Sequence, residues 1–81
     1  MARLPRDVSS ARLIVLLEAL GYRVVRRKGS HVRLERPGPD AHGMTVPDHA
    51  ALRIGTLAAI LQEVGAATRT TREELIEMLG R

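Results

Sequence analysis

Apolar residues recur at helical spacing in the first quarter of the chain. The stripe consists of Leu13, Ile14, Leu16, Leu17 and Leu20. Its periodicity predicts an amphipathic helix from about Ser9 to Leu20. Ser9 suits the N-cap, and Val8 and Leu13 then occupy the two positions of a hydrophobic staple. Gly21 follows directly and is placed to end the helix in a left-handed conformation.

The pattern then changes from helical spacing to alternation. Apolar side chains interrupt the arginines of Tyr22–Arg27, and the turn residues Lys28-Gly29-Ser30 follow, which predicts a strand and a hairpin. Residues His31–Arg36 alternate, with Val32 and Leu34 on one face. His31, Arg33 and Glu35 fall on the other face. After a proline- and glycine-rich turn, Met44–Val46 predicts a short third strand that Pro47 ends.

Helical spacing returns in the second half. Gly55-Thr56 opens a predicted second helix, which Gly65 is expected to stop. Its apolar stripe is Leu57, Ile60, Leu61 and Val64. A last amphipathic helix carries Leu75, Ile76, Met78 and Leu79. Its start is a capping box formed by Thr70 with Glu73 or by Thr71 with Glu74.

These elements predict one α+β domain over residues 1–81, with the order α-β-β-β-α and an extra C-terminal helix. The core is expected over about 9–65 and the helical extension over about 70–80. Alternation in the strands requires an antiparallel sheet of three strands with helices on one face and water on the other. His31 and Arg33 therefore fall on the open face.

Charge narrows the possible partners. The net charge is +4, and 12 of the 13 basic residues are arginine, which favours a polyanion such as nucleic acid, although an acidic protein fits equally.

With no cysteine, a thiol nucleophile and a zinc–thiolate site are excluded. The one aromatic residue, Tyr22, cannot provide a base-stacking platform. No apolar run approaches membrane-spanning length, so we expect a cytoplasmic protein without a membrane partner.

Four short motifs occur in order along residues 10–65. They are Gly21-Tyr22, Arg27-Lys28-Gly29-Ser30-His31, Thr45-Val46-Pro47-Asp48-His49, and Gly55-Thr56-Leu57 with Ile60-Leu61. None is specific alone, but the ordered set in a chain of this size resembles the HicA toxin family. The resemblance implies a double-stranded-RNA-binding-domain-like fold. It also implies a translation-independent mRNA interferase that a HicB antitoxin holds inactive.

The resemblance also implies that His31, in the Gly-Ser-His motif, is the catalytic residue. Its chemistry fits, because histidine exchanges protons near neutral pH and RNA cleavage requires a general base and a general acid. The RNA-binding candidates beside it are Arg27, Lys28, Gly29, Ser30 and Arg33. Glycine lets the backbone approach a phosphate closely, and the cations stabilise a phosphorane. Alternatively, His31 is only an exposed strand residue beside a glycine turn.

The other two histidines receive different interpretations. His49 has either a second catalytic role or a structural one, in which it hydrogen-bonds and fixes the loop before the second helix. His42, in a loop rich in proline and glycine, is expected to be solvated. The histidine spacing makes a poor metal site, so we expect no metal and no cofactor. Arg23, Arg26 and Arg36 are expected on a solvated face that also attracts RNA or an acidic antitoxin.

Two further functional hypotheses remain open. A non-catalytic RNA-binding module would share the fold and the charge, and only His31 separates it from the ribonuclease. A protein-interaction or DNA-binding module would use the last two helices. Four glutamates on them, which would repel DNA phosphates, are Glu63, Glu73, Glu74 and Glu77. We therefore expect mRNA and a HicB-like antitoxin as partners, and no DNA bound by the chain itself.

Overall fold

The computed structural model describes residues 3–80 and has the predicted α+β architecture. Its elements are α1 (Ser10–Ala19), β1 (Arg23–Lys28), β2 (His31–Arg36), β3 (His42–Pro47), α2 (Ile54–Thr68) and α3 (Arg72–Leu79). The predicted order, including the additional C-terminal helix, is confirmed. Within the described residues, no helix combines the length and the apolar character that crossing a membrane requires.

The start of α1 follows its sequence signals. The Ser9 side chain accepts a hydrogen bond from the backbone N–H of Arg12 at 3.1 Å, as an N-cap does. Val8 and Leu13 are both fully buried, which confirms the hydrophobic staple. The apolar stripe of α1 therefore enters the core from its first turn.

The end of α1 is a Schellman motif. The N–H of Gly21 donates to the carbonyl of Glu18, and the N–H of Tyr22 donates to that of Leu17, both at 3.0 Å. Gly21 has a φ of +97°, which confirms its predicted left-handed conformation. Arg36 in β2 donates from Nε to the carbonyl of Leu20 at 2.9 Å, so the sheet and the helix end are fastened together.

The sheet is antiparallel with the strand order β1-β2-β3. Val32 and Leu34 of β2 and Met44 and Val46 of β3 are buried against the helices. The opposite set of side chains in both strands is exposed or half-buried. One face of the sheet is therefore covered by helices and the other is open, as the alternation predicted.

A β-bulge interrupts β1 at Val25. Val24 pairs with Leu34, but the next pair is Arg26 with Arg33, so Val25 is the extra residue. Since successive side chains in a strand point to opposite faces, one inserted residue exchanges the faces of everything that follows. Arg26 and Lys28 therefore lie on the open face, and Arg27, opposite the buried Val32, does not.

The prediction that Gly65 ends the second helix is wrong. Helix α2 continues to Thr68, and Arg69 takes the left-handed terminal position with a φ of +55°. Gly65 is needed for a different reason, because a Cβ there would lie 2.8 Å from the carbonyl oxygen of Thr70. The missing side chain lets the chain reverse closely against α2 before α3 begins.

Helix α3 begins with the second of the two predicted capping boxes. The Thr71 side chain accepts from the N–H of Glu74, the Glu74 side chain accepts from the N–H of Thr71, and these bonds lower the pKa of Glu74. The helix packs on both α1 and α2, and Leu75 and Leu79 complete the core.

We expect Leu75→Ala to destabilise the protein by about 2–5 kcal/mol, because it opens a cavity where a fully buried leucine packs. Urea unfolding measures the change as a lower midpoint. The exposed Glu73→Ala on the same helix is the control and should shift the midpoint little. If Leu75→Ala unfolds at the wild-type midpoint, α3 is an appendage and not part of the folded unit.

Candidate active site on the open sheet face

A two-residue hairpin turn positions His31. Lys28 pairs with His31, and Gly29 and Ser30 connect them. Gly29 has a φ of +57°, while that of Ser30 is not positive, which is the pattern of a type II′ turn. The carbonyl of Ser30 accepts from the N–H of Asp48 at 2.8 Å, so the turn is anchored to the end of β3. The N–H groups of Gly29 and Ser30 donate to no described residue.

His31 lies in an open cleft of about 750 Å³, which we call the histidine cleft. Its lining residues are Arg26, Lys28, Gly29, Ser30, His31, Arg33 and Thr45. The side chain of His31 is exposed, and its ring makes no hydrogen bond or ion pair with residues 3–80. Three of the lining residues are cationic and none is acidic. The cleft therefore presents an unengaged imidazole among positive charges, which suits a phosphate ligand.

The structure brings together five of the six predicted site residues. Lys28, Gly29, Ser30 and Arg33 line the cleft with His31, but Arg27 does not. Register places Arg27 opposite the buried Val32, on the other side of the sheet, because the bulge shifts the alternation of β1. The structure puts Arg26 at the cleft instead, a residue that the sequence assigned only to a general basic surface.

Arg33 is held by contacts on the open face. Its Nε lies 3.7 Å from a carboxylate oxygen of Glu35, two residues along the same face. Its guanidinium also lies across Gly43 of β3, where a Cβ would collide with it. Arg33 therefore extends along the sheet and away from His31, held by one ion pair and by the space that Gly43 leaves. At this partly exposed site the ion pair contributes at most about 1 kcal/mol.

The backbone of His49 ties the loop before α2 to the start of α1. Its N–H donates to the hydroxyl of Ser10 at 2.6 Å, and its carbonyl accepts from the N–H of Ser10 at 3.0 Å. The Ser10 hydroxyl, which is almost fully buried, also bonds the carbonyl of Pro47. These backbone bonds fix the loop before α2, whereas the structural interpretation expected the histidine side chain to do so. The imidazole itself is exposed, lies outside the histidine cleft, and bonds no described residue.

The prediction that His42 is solvated is wrong. Strand β3 begins at His42, two residues before the predicted strand. The His42 imidazole links Tyr22, which precedes β1, to Glu63 of α2. Nδ1 lies 2.6 Å from the hydroxyl of Tyr22, and Nε2 lies 2.9 Å from a carboxylate oxygen of Glu63 in α2. Because a carboxylate only accepts hydrogen bonds, Nε2 of His42 carries the hydrogen that it donates to Glu63. In the neutral ring Nδ1 then has no hydrogen, so it accepts the hydrogen bond from the Tyr22 hydroxyl.

The Tyr22 ring supports this bridge from within the core. It meets the His42 ring edge-on, with centroids 5.8 Å apart and an interplanar angle of 84°. Burial raises the pKa of Tyr22, the charge of Arg36 opposes that shift, and the charge of Glu63 adds to it. Tyr22 thus stays a hydroxyl donor. No local motif predicts this bridge, since Tyr22 lies between α1 and β1, His42 begins β3 and Glu63 belongs to α2.

Metal ligands are not clustered in the described part of the chain. Over residues 3–80, no three or more histidine, cysteine, aspartate or glutamate side chains are grouped as a metal site would need. His42 has both ring nitrogens engaged, and His49 and His31 lie in different clefts.

Fold and cleft together define a small α+β protein whose open sheet face presents an exposed histidine within a basic cleft. The model of one protein family, described as the HicA toxin of bacterial toxin–antitoxin systems, matches residues 10–66. Since the match covers well over half of the chain, the protein belongs to the HicA toxin family of bacterial toxin–antitoxin systems. Searches of curated proteins and of solved structures returned no match.

Proposed function

We propose that this toxin is a metal-independent endoribonuclease that cleaves mRNA, and so inhibits translation until a HicB-like antitoxin neutralises it. The observation that carries the proposal is the unengaged, exposed imidazole of His31 in a cleft lined by cations and without an acidic residue. Such a cleft attracts the phosphates of a nucleic acid, and the histidine supplies proton transfer. The proposed substrate implies action in the cytoplasm.

The chemistry uses the 2′-hydroxyl of RNA as the nucleophile. Its oxygen attacks the adjacent phosphorus, the bond from phosphorus to the 5′-oxygen breaks, and a 2′,3′-cyclic phosphate and a 5′-hydroxyl are formed. His31 acts either as the base that takes the 2′-hydroxyl proton or as the acid that protonates the leaving oxygen, and water carries out the other proton transfer. Lys28, Arg26 and the free N–H groups of the Gly29-Ser30 turn stabilise the additional negative charge of the phosphorane.

The open face also suggests how an antitoxin acts. Within residues 3–80 the helices cover the other face, so a HicB-like protein that seats on the histidine cleft would exclude RNA without refolding the toxin. An acidic surface on that protein would complement Arg26, Lys28 and Arg33.

The test of this function is induced expression in a bacterial host, with and without a HicB-like protein encoded beside the toxin. We expect growth arrest and new mRNA 5′ ends on induction, and relief of both by the antitoxin. RNA binding by the purified protein without any cutting would instead support the non-catalytic RNA-binding alternative.

We expect Arg33→Ala to weaken RNA binding across sequences and to flatten its salt dependence. Loss of one phosphate contact changes the slope of log affinity against log salt by about 0.7 for single-stranded RNA. Fluorescence anisotropy at several salt concentrations measures the slope, and Glu35→Gln should shift affinity the opposite way because it removes the opposing carboxylate. A slope identical to that of the wild type would remove Arg33 from the RNA footprint.

A further inference from the structure

A second cleft lies on the open face, at the far end of β2 from His31. It has a volume of about 320 Å³ and is formed by all three strands and the turn after β2. Arg33 lines both clefts, so they are neighbours along the sheet. From His31 to Glu35, at about 3.3 Å per residue, the distance along β2 is roughly 13 Å. A single RNA strand passing over His31 along β2 would therefore enter this cleft, which we call the distal cleft.

Positive charge exceeds negative charge in the distal cleft. Arg23, Arg33 and Arg36 line it, and Glu35 is the acidic residue among them. The exposed side chain of Arg23 has no hydrogen bond or ion pair with residues 3–80, so its guanidinium is free to bind a ligand. Arg36 also borders the cleft, but its side chain lies on the helix-covered side of β2, where Nε donates to the carbonyl of Leu20, so Arg23 and Arg33 are the arginines that face a ligand.

The distal cleft also has an apolar lip, formed by Val25, Pro37 and Ala41. Val25 is 52% exposed and is the inserted residue of the β-bulge. The bulge places two consecutive residues opposite Arg33, with Val25 lining the distal cleft and Arg26 the histidine cleft. Bulges near functional sites re-aim side chains in this way. The one residue of the phenylalanine, tyrosine and tryptophan group, Tyr22, is buried, so the lip offers a base an aliphatic surface.

We propose that the distal cleft binds a nucleotide of the same RNA strand that is cut at His31. Arg23 and Arg33 hold its phosphate, and its base packs on the lip at Val25. Gly43 makes this possible, because the absence of a side chain there leaves the space through which the Arg33 guanidinium reaches toward the distal cleft. This proposal rests on the proposed ribonuclease function only in taking RNA as the ligand. Binding measurements test the proposal without requiring the RNA to be cut.

The first test compares Arg23→Ala with Arg12→Ala, which removes the same charge from the exposed side of α1. The probe is a fluorescent 2′-O-methyl RNA of about twelve nucleotides, which cannot be cut by 2′-hydroxyl attack. We expect Arg23→Ala to weaken binding about fivefold to tenfold, as loss of a charge-assisted contact does, and Arg12→Ala less than twofold. Equal losses would mean that only net charge matters, and would overturn the proposal.

The second test separates the base from the phosphate. Val25→Ser is compared with Val15→Ser, which changes another exposed valine, 66% exposed, on α1. We expect Val25→Ser to weaken binding of the 2′-O-methyl RNA about threefold to fivefold, and to leave binding of inorganic polyphosphate unchanged; Val15→Ser should alter neither. RNA binding by Val25→Ser as tight as that of the wild type, or an equal loss for polyphosphate, contradicts a base contact.

The outcomes distinguish the two proposals. If unmodified RNA is not cut but the Arg23 and Val25 variants lose binding as expected, the ribonuclease function fails and the distal cleft stands. If RNA is cut and both variants bind and cut as the wild type does, the cleft fails and the ribonuclease stands. Failure of the wild type to bind the 2′-O-methyl RNA would overturn the distal cleft outright.

Discussion

His31→Ala is expected to lower the rate of RNA cleavage by about 10²–10⁴-fold, the usual contribution of general acid–base catalysis, and to abolish toxicity. The fold should be unchanged, because the side chain is exposed and its ring bonds no described residue. The measurement is single-turnover cleavage of a defined RNA, together with growth after induction. Circular dichroism and the unfolding midpoint confirm that the variant protein is folded.

The chain offers a matched control in His49→Ala. This histidine is also exposed, its ring is also without a described partner, and only its backbone holds the loop at Ser10. Alanine keeps that backbone, so cleavage should stay within about twofold of the wild type. A soluble His31→Ala protein that still cuts RNA at the wild-type rate would refute the catalytic assignment. A comparable loss in His49→Ala would make His49 a second catalytic group.

Local signals are sufficient to predict the order of the helices and the two faces of the sheet, but not the end of α2. The Ser9 cap, the Gly21 terminus and the alternation of β2 each depend on residues close in sequence, and the structure confirms all three. Because His31 lies on β2 directly after its turn, its exposed position followed from the same alternation.

Features that depend on distant residues were not predictable. The bulge at Val25 arises where β1 pairs with β2, and no local motif indicates it, so the sequence predicts Arg27 at the site where the structure has Arg26. His42 lies in a sequence typical of loops, yet it is held by Tyr22 and Glu63, which are 20 and 21 residues away along the chain. In each case a long-range contact overrides a local preference.

The nucleophile of the cleavage step can be tested by removing it from the substrate. If the 2′-hydroxyl of the substrate is the nucleophile, a single 2′-deoxy sugar at the cut site removes the attacking group and should abolish cleavage there. Cleavage of the all-RNA substrate should continue in EDTA, because the proposed step uses His31 and the cations of its cleft. The products should carry a 2′,3′-cyclic phosphate or a 3′-phosphate.

The experiment uses one short RNA with mapped cut sites and the same oligonucleotide with deoxy substitutions at those sites, both incubated with EDTA. Sites left unsubstituted in the second oligonucleotide are the internal control, since they should be cut at the original rate. His31→Ala protein run beside the wild type excludes a contaminating nuclease. Cutting at a deoxy position would exclude attack by the 2′-hydroxyl. Complete loss of activity in EDTA would contradict the metal-independent mechanism, because none of the groups assigned to this step requires a metal ion to act.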